Sequence, residues 1–245
     1  MQRIWRTHMA QWDERLREAE ARSWFEWLHN LRAVDRVAIP RLYGLNLGNL
    51  ELHVFGDASE SAYAAVAYIA GYNELGERQA SFVLGKARVA PQKVISIPRL
   101  ELQAAVLACR IASTAERELG VEIKRKHFWT DSQTVMKWIN FDAADFQRFV
   151  SHRLTEIDSQ SMKADWRWVP SALNPADKAT RLDWPSSCDE WLSGPAFLRS
   201  PQEQWPVDFG SSAEMEESLE RVMRVNMLGA RHPNDCQHGQ ALCTW

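Results

Sequence analysis

Three short hydrophobic runs follow one another in the first half of the chain, separated by residues typical of turns. They are ELHVFGDAS, SAYAAVAYIAG and RQASFVLGKARV, and they are rich in Val, Ala and aromatic residues. Runs of this length and composition between turn signals predict β-strands. Because consecutive strands with short connections pair antiparallel, we predict a three-stranded meander that begins at Glu51.

A helical pattern replaces the strand pattern after this meander. From Ile97 to Leu119 apolar residues recur at helical spacing, with Pro98 where a helix can begin and Gly120 where it can end. The runs HFWTDS and ADWRWVP predict two more short strands. The order of elements predicts a mixed α/β domain of about 130 residues. Three further helical segments are predicted at Gln133 to Ile139, at Asp145 to Ser159 and at the start of NPADKAT.

The two flanks of this domain differ from it in composition. Residues 4–34 carry Trp and Leu among charges, which predicts an amphipathic helical segment that needs a partner surface, and RLYGLNLGNL is typical of a linker. After Trp184 an extended tail is predicted, with a short charged helix over residues 213–227 and disorder from Gly229. We divide the chain into a connection segment (1–48), a domain (49–184) and a tail (185–245). The predicted anchors of the tail are Trp191, Phe197 and Trp205.

Composition and charge narrow the class of protein. A content of 45% hydrophobic and 25% charged residues is typical of a soluble globular protein, and neither a secretory signal nor a membrane span is predicted. A net charge of −3 argues against binding nucleic acid by bulk charge but leaves room for a local basic groove. The four cysteines are expected to be free thiols. Cys236 and Cys243 lie near His232 and His238, but their spacing fits no standard zinc finger.

Four acidic residues stand at the edges of predicted elements. Asp57 and Asp131 close the first and fourth strands, Glu101 lies in the first turns of the long helix, and Asp177 follows the last strand. If the first and fourth strands are neighbours, Asp57 and Asp131 emerge side by side at one end of the sheet. Carboxylates crowded in this way repel one another unless a cation neutralises them. Mg²⁺ prefers oxygen ligands, and two such ions can hydrolyse a phosphodiester.

Each of these acids also has an ordinary structural explanation. Asp57 and Asp131 could cap a turn or a helix. Glu101 and Asp177 could simply be favoured by the dipole of a helix start. The four together, in this order along the chain, favour a metal site over four separate caps.

Several motifs resemble the ribonuclease H region of BEL/Pao retrotransposon polyproteins. They are FGDASESAYAAVAY, KARVAPQKVISIPRLELQAAVLA, WTDSQTVMKWI, FVSHRLTEI and DWRWVPSALNPADKATR. The resemblance covers about residues 1–200, and WDERL, WFEWL and IPRLY resemble the connection that follows reverse transcriptase. It implies a ribonuclease H-like mixed five-stranded sheet, with three antiparallel strands and then two parallel ones. Helices flank this sheet, with an N-terminal helical connection segment and an irregular C-terminal tail.

The resemblance also implies a function and a site. It implies an endoribonuclease that hydrolyses the RNA strand of RNA–DNA hybrids during reverse transcription, using two Mg²⁺ ions, with Mn²⁺ as an alternative. Asp57, Glu101, Asp131 and Asp177 match the metal-binding carboxylates of the family. The histidine that many cellular ribonucleases H carry before the last Asp has no counterpart in VPSALNPAD.

The resemblance implies partners and contacts as well. The expected partners are an RNA–DNA hybrid and the reverse transcriptase and integrase regions of the parent polyprotein, with no membrane. The expected location is a cytoplasmic retrotransposon particle, with the nucleus as an alternative. Polar residues near the acids could contact the nucleic-acid backbone or 2′-hydroxyls, and basic ones could follow phosphates, although a solvated face explains the basic ones equally well. They are Ser59, Ser132, Gln133, Lys86, Arg88, Lys93, Arg99, Lys178 and Arg181.

Two rival interpretations come from other classes. Pao-type segments are also labelled aspartic peptidases, but such enzymes need paired Asp-Thr-Gly or Asp-Ser-Gly turns. Here Asp131-Ser132 is followed by Gln133, so we attach that label to the polyprotein rather than to this chain. The second rival is a structural or decayed fragment without catalysis, and a hybrid-cleavage assay separates it from an enzyme.

Overall fold

A five-stranded mixed sheet forms the centre of the domain. The computed structural model describes residue 13 and residues 15–39, 43–181 and 188–207. The strand order is β3-β2-β1-β4-β5, in which the first three strands pair antiparallel while β4 and β5 run parallel to β1. This confirms the predicted sheet. The strands are β1 (Leu50–Ala58), β2 (Ala62–Tyr72), β3 (Arg78–Val89), β4 (Ile123–Thr130) and β5 (Trp166–Trp168).

The first five helices of the described residues follow the predicted order, whereas the sixth lies in the segment predicted as an extended tail. The long helix begins at Ile97, with Pro98 in its first turn, and ends before Gly120, whose φ of 63° is the left-handed conformation that a helix terminus favours. α4 begins three residues later than predicted, because Asp142 caps a separate short turn before it. The helices are α1 (Glu18–Leu31), α2 (Ile97–Leu119), α3 (Gln133–Asn140), α4 (Arg148–Asp158), α5 (Pro175–Thr180) and α6 (Asp189–Ser193).

The sheet has a hydrophobic core on each face. On one face, side chains such as Val54 and Phe128 pack against α2 and α4. On the other face, Phe55 and Trp129 are covered by residues that follow α6, and these are Phe197, Leu198 and Trp205. The predicted anchors Phe197 and Trp205 are therefore core residues. The domain boundary at residue 184 stays a prediction, and residues 188–207 pack on the sheet beyond it.

β1 lies at the middle of the sheet and sets the position of α2. Gly56 lies two residues before the last residue of this strand and faces the backbone of α2. A β-carbon added at Gly56 would lie 3.2 Å from the carbonyl oxygen of Ala104, so a side chain there would push the helix away. This close approach holds the first turns of α2, which carry Glu101, near the end of β1.

The N-terminal segment is helical where the structure describes it. Every side chain of α1 is exposed or partly exposed, including Trp24, Phe25 and Trp27. The partner surface expected for this segment stays a prediction. Residues 4–12, the helix predicted over 213–227 and the C-terminal cysteines lie outside the described residues. Among the described helices, none is both long and apolar enough to cross a membrane.

Candidate functional site

The ends of β1 and β4 bring two of the predicted acids side by side. Gly56 of β1 pairs with Thr130 of β4 in parallel register, so Asp57 and Asp131 follow at the same end of the sheet. Asp57 is 7% exposed, and Asp131 is half-buried. The predicted neighbourhood of these two residues is confirmed.

Glu101 reaches this sheet end through Ser132. The Ser132 hydroxyl donates a hydrogen bond of 2.5 Å to Oε2 of Glu101. The same hydroxyl oxygen accepts from the backbone N–H of Val135 at 3.2 Å and so caps α3. Because Ser132 directly follows Asp131, this contact ties α2 to the end of β4. The Ser132 side chain therefore contacts Glu101 within the protein, and its contact with substrate stays a prediction.

Asn174 connects the start of the helix that carries Asp177 with Asp131 and with the end of β1. Its side-chain oxygen accepts from the N–H of Ala176 at 3.1 Å and caps α5, the helix that carries Asp177. Its side-chain nitrogen donates to the carbonyl oxygen of Gly56 at 3.1 Å and to Oδ1 of Asp131 at 3.3 Å. Sequence analysis missed this residue. Its signal was an Asn before a Pro at a helix start, a pattern typical of helix caps.

Thr180 was missed as well, and it contacts both Asp57 and α5. Its hydroxyl oxygen lies 2.8 Å from Oδ2 of Asp57 and 2.9 Å from the carbonyl oxygen of Asp177. Arg181, the next residue, forms an ion pair of 2.8 Å with the Asp177 carboxylate. The fourth acid is thus partly neutralised by a neighbour on its own helix end.

Burial and the charge of Asp131 both raise the pKa of two neighbouring acids, Asp57 and Glu101. Burial, repulsion from Asp131 and repulsion from Asp177 raise the pKa of Asp57 to about 6, against a hydrogen bond from Thr180 that lowers it. Burial raises the pKa of Glu101 too, the Ser132 hydrogen bond lowers it, and the Asp131 charge raises it further. Carboxylates that raise one another's pKa need a cation to stay ionised together. Their all-oxygen donor set fits hard divalent ions such as Mg²⁺.

The predicted substrate contacts fall into three groups. Gln133 is exposed at the start of α3, and Lys178 is exposed beside Asp177, so both lie next to the acids. Ser59 instead accepts backbone N–H groups of the β1–β2 turn and donates to the carbonyl of Thr180 or Ala62. Of the remaining basic residues, Arg99 lies in the first turn of α2, with its guanidinium carbon 4.8 Å from the ring centre of Phe149. Those on or near β3 are Lys86, Arg88 and Lys93.

A second cluster of titratable side chains was not predicted. Among the described residues, Glu51, His53 and His127 bring one ligand atom each within 4.8 Å of one another. Burial lowers the pKa of both histidines, and that of His127 falls to about 3, so both rings are neutral at ordinary pH. Each histidine precedes its strand-end aspartate, Asp57 or Asp131, by four residues. Because β1 and β4 were predicted to end side by side, the equal spacing predicts that His53 and His127 are neighbours. This signal could have revealed the pair.

Comparison with protein families identifies the domain. Residues 1–132 match a family model described as "Pao retrotransposon-like RNaseH-like domain". The chain belongs to this family. The matched part of this RNase H-like domain includes Asp57, Glu101 and Asp131, whereas Asp177 lies beyond it. No curated protein matches the chain.

Solved RNase H structures resemble this domain at low sequence identity. The N-terminal RNase H domain of Rv2228c from Mycobacterium tuberculosis, solved as a fusion with maltose-binding protein, is 11% identical and covers 54% of this chain and 93% of its own, with a TM-score of 0.35. RNase H1 of Halobacterium salinarum NRC-1 is 16% identical and covers 54% of this chain and 94% of its own, with a TM-score of 0.34. LC11-RNase H1, solved in complex with an RNA/DNA hybrid, is 11% identical over 53% and 91%, with a TM-score of 0.35.

Proposed function

We propose that this domain is a metal-dependent endoribonuclease that hydrolyses the RNA strand of RNA–DNA hybrids. The observation that carries the proposal is the convergence of Asp57, Glu101 and Asp131 at one sheet end of a Pao-type RNase H-like domain. These acids come from β1, α2 and β4, which are far apart along the chain. Local capping explains each acid separately, but it does not explain why burial and repulsion are tolerated in one place.

The four carboxylates are the residues that would hold the metal ions. The charges of Asp131 and Asp177 repel the Asp57 carboxylate, and the charge of Asp131 also repels Glu101. When bound, a pair of divalent ions supplies an activated water and stabilises the charge of the leaving oxygen. Asp57 must be ionised to take part, and its raised pKa means that it binds cations best above about pH 6.

The remaining polar residues of the site position these carboxylates. Ser132 fixes Glu101, Asn174 fixes Asp131 against the end of β1, and Thr180 fixes Asp57. Each uses a hydrogen-bond donor, which lowers the cost of keeping a carboxylate charged. Arg181 holds Asp177 in an ion pair. We infer that these contacts keep the acids in place before any ion binds.

Recognition of the hybrid would depend on shape and on RNA 2′-hydroxyls rather than on base sequence. Gln133 and Lys178 are the predicted contacts that lie next to the acids. Lys86 and Arg88 lie on β3, two strands away from β1 in the sheet. A duplex that reached them would have to extend across the antiparallel half of the sheet, and we propose them as outer phosphate contacts.

The deciding experiment compares substrates and metals with the purified chain. An RNA–DNA hybrid, an RNA duplex, a DNA duplex and single-stranded RNA, each end-labelled, are incubated with Mg²⁺, with Mn²⁺ or with a chelator. Cleavage of the RNA strand in the hybrid alone, and only with a divalent ion, is the expected result. Equal cleavage of single-stranded RNA, or cleavage in chelator, would contradict the mechanism. No cleavage of any substrate would favour the structural alternative.

Removing the Thr180 hydroxyl should shift the pH dependence of metal binding. The Thr180→Val variant keeps the side-chain shape but loses the hydrogen bond that lowers the pKa of Asp57. The pH below which Mg²⁺ affinity falls should therefore move upward from about 6, by up to about one unit. Isothermal titration calorimetry with Mg²⁺ at a series of pH values from 5 to 8 measures this pH dependence.

The control for this variant is Thr155→Val on α4. Thr155 is exposed and donates its hydroxyl only within its own helix, to the carbonyl of Ser151 at 3.0 Å. It should leave the pH dependence of Mg²⁺ binding unchanged. A profile for Thr180→Val that coincides with the parent profile would mean that Thr180 does not set the ionisation of Asp57.

A further inference from the structure

A group of nitrogen and oxygen ligands lies on β1 and β4, where each histidine is four residues before a strand-end acid. His53 of β1 pairs with His127 of β4, and their rings stack with centroids 4.9 Å apart. Glu51 is two residues before His53 and so projects from the same face of the sheet. Its Oε2 lies 3.5 Å from Nε2 of His53. Four residues of strand separate His53 from Asp57, which places the two clusters about 13 Å apart.

Three of the four histidine nitrogens of this cluster lack a hydrogen-bond partner among the described residues. His53 is 0% exposed and His127 is 4% exposed. Nε2 of His53 and both ring nitrogens of His127 have no hydrogen-bond partner among the described residues. Buried polar atoms are nearly always satisfied, and three unsatisfied nitrogens at one place require an explanation. A ligand that takes a lone pair of the neutral His127 ring would supply it, whereas Nε2 of His53 already lies 3.5 Å from the Glu51 carboxylate.

We propose that Glu51, His53 and His127 form a second metal site that takes Zn²⁺ or a similar borderline cation. Two imidazoles and one carboxylate are a donor set of zinc sites that leave a fourth position for water. The same set suits Mg²⁺ poorly, since Mg²⁺ prefers oxygen ligands. The carboxylate cluster and the histidine cluster would therefore prefer different cations.

A pocket open to solvent reaches one of the three ligands, His127. A pocket of about 350 Å³ opens beside the outer edge of β4, and His127 lines it together with Arg125 and Arg167. A metal ion that enters through this pocket meets His127 first. The fourth ligand position would face the same opening and so could hold a water molecule.

Other contacts at the site limit its affinity. Trp129 donates its indole N–H to Nδ1 of His53 at 3.2 Å, so the neutral ring carries its proton on Nε2. Binding a cation at Nε2 moves that proton to Nδ1 or releases it, and it breaks or weakens the Trp129 hydrogen bond. Arg78 also holds the Glu51 carboxylate, and Arg167 is a nearby positive charge. The ligand atoms must close to about 3.3 Å for tetrahedral binding. The metal is therefore exchangeable.

The test is a titration of the full chain, first freed of metal with a chelator and then kept in excess Mg²⁺ to fill the acidic site. One equivalent of Zn²⁺ should bind. Co²⁺ should bind competitively and give visible absorption without a thiolate charge-transfer band. The indole N–H signal of Trp129 and the imidazole nitrogen signals of His53 and His127 should shift in NMR spectra of the wild-type chain. His127→Gln should weaken Zn²⁺ binding at least about tenfold.

Controls separate this site from the C-terminal cysteines and from misfolding. The double variant Cys236→Ser, Cys243→Ser should bind Zn²⁺ as the parent does. If His127→Gln fails to fold by circular dichroism, the NMR shifts in the wild-type chain decide alone. Binding that disappears in the cysteine variant, or Zn²⁺ binding without shifts of both histidines, overturns the proposal. Because Mg²⁺-dependent hybrid cleavage does not need this site, failure here leaves the proposed function standing.

Discussion

Replacing Asp57 with Asn is expected to abolish Mg²⁺-dependent cleavage of an RNA–DNA hybrid and, at the same time, to stabilise the metal-free domain. The loss of activity should be at least about a thousandfold, since a charge that holds a catalytic ion is worth several kcal/mol to the transition state. Asp131→Asn should show a similar loss. Asp131 is the charge that raises the pKa of both Asp57 and Glu101.

The gain in stability follows from the sign of the pKa shift. The pKa of Asp57 rises from an ordinary value of 3.8 to about 6 in the folded domain. The folded state therefore holds the proton more tightly than the unfolded state, and stability falls as pH rises from about 4 through about 6. At pH 7.5 the charged Asp57 destabilises the metal-free fold, and Asn removes that charge. The expected gain is up to about 3 kcal/mol, because the rise from 3.8 to about 6 is about two pKa units at about 1.4 kcal/mol each.

Urea denaturation at pH 7.5 and at pH 4 measures this effect, with chelator or with Mg²⁺ present. The stabilisation should vanish at pH 4, and Mg²⁺ should stabilise the parent chain much more than the variant. Asp142→Asn is the matched control. Asp142 is exposed and caps the turn before α4 by accepting from the N–H of Ala144 at 2.9 Å, which Asn can also do. An Asp57→Asn variant that cleaves hybrids like the parent would end the proposal of a metal-dependent nuclease at this site.

Replacing Trp205 with Ala is expected to cost about 3–5 kcal/mol of folding free energy, as is usual for a large aromatic side chain removed from a core. Trp205 is 4% exposed, and its ring lies at 5.1 Å from the His53 ring and 5.0 Å from the His127 ring. Its edge also meets Trp129 at 5.5 Å. The guanidinium groups of Arg78 and Arg167 lie 5.7 and 5.4 Å from its ring. Removing the ring would leave this second core open to water.

Trp24→Ala on α1 is the control for this variant. Trp24 is 42% exposed and stacks with Trp27 on a helix whose side chains are exposed or partly exposed. Its removal should change the free energy of unfolding by less than about 1 kcal/mol. The free energy is measured by urea denaturation, followed by circular dichroism. A cost for Trp205→Ala as small as that for Trp24→Ala would show that residues 188–207 are not part of the folding unit.

The elements with local signals could be predicted from the amino-acid sequence. Pro98 and Gly120 mark the two ends of α2, and the hydrophobic runs mark the strands, because capping and side-chain periodicity act over a few residues. Asp57 and Asp131 were predictable as neighbours because both end strands, and parallel strands end at one edge of a sheet. Glu101 and Asp177 were singled out with them from their positions at element edges, and the family resemblance then matched all four. The matching family model covers Glu101 but not Asp177.

The contacts that distant segments make with the site are seen only in the tertiary structure. Asn174 and Thr180 contact the end of β1 from more than a hundred residues away, and no local pattern encodes such a contact. The same holds for Trp205, which the sequence placed in a tail and the structure places in a core. Packing and buried hydrogen bonds depend on which surfaces meet once the sheet has formed. Local propensity fixes what each segment becomes, whereas the burial of apolar surface fixes where it goes.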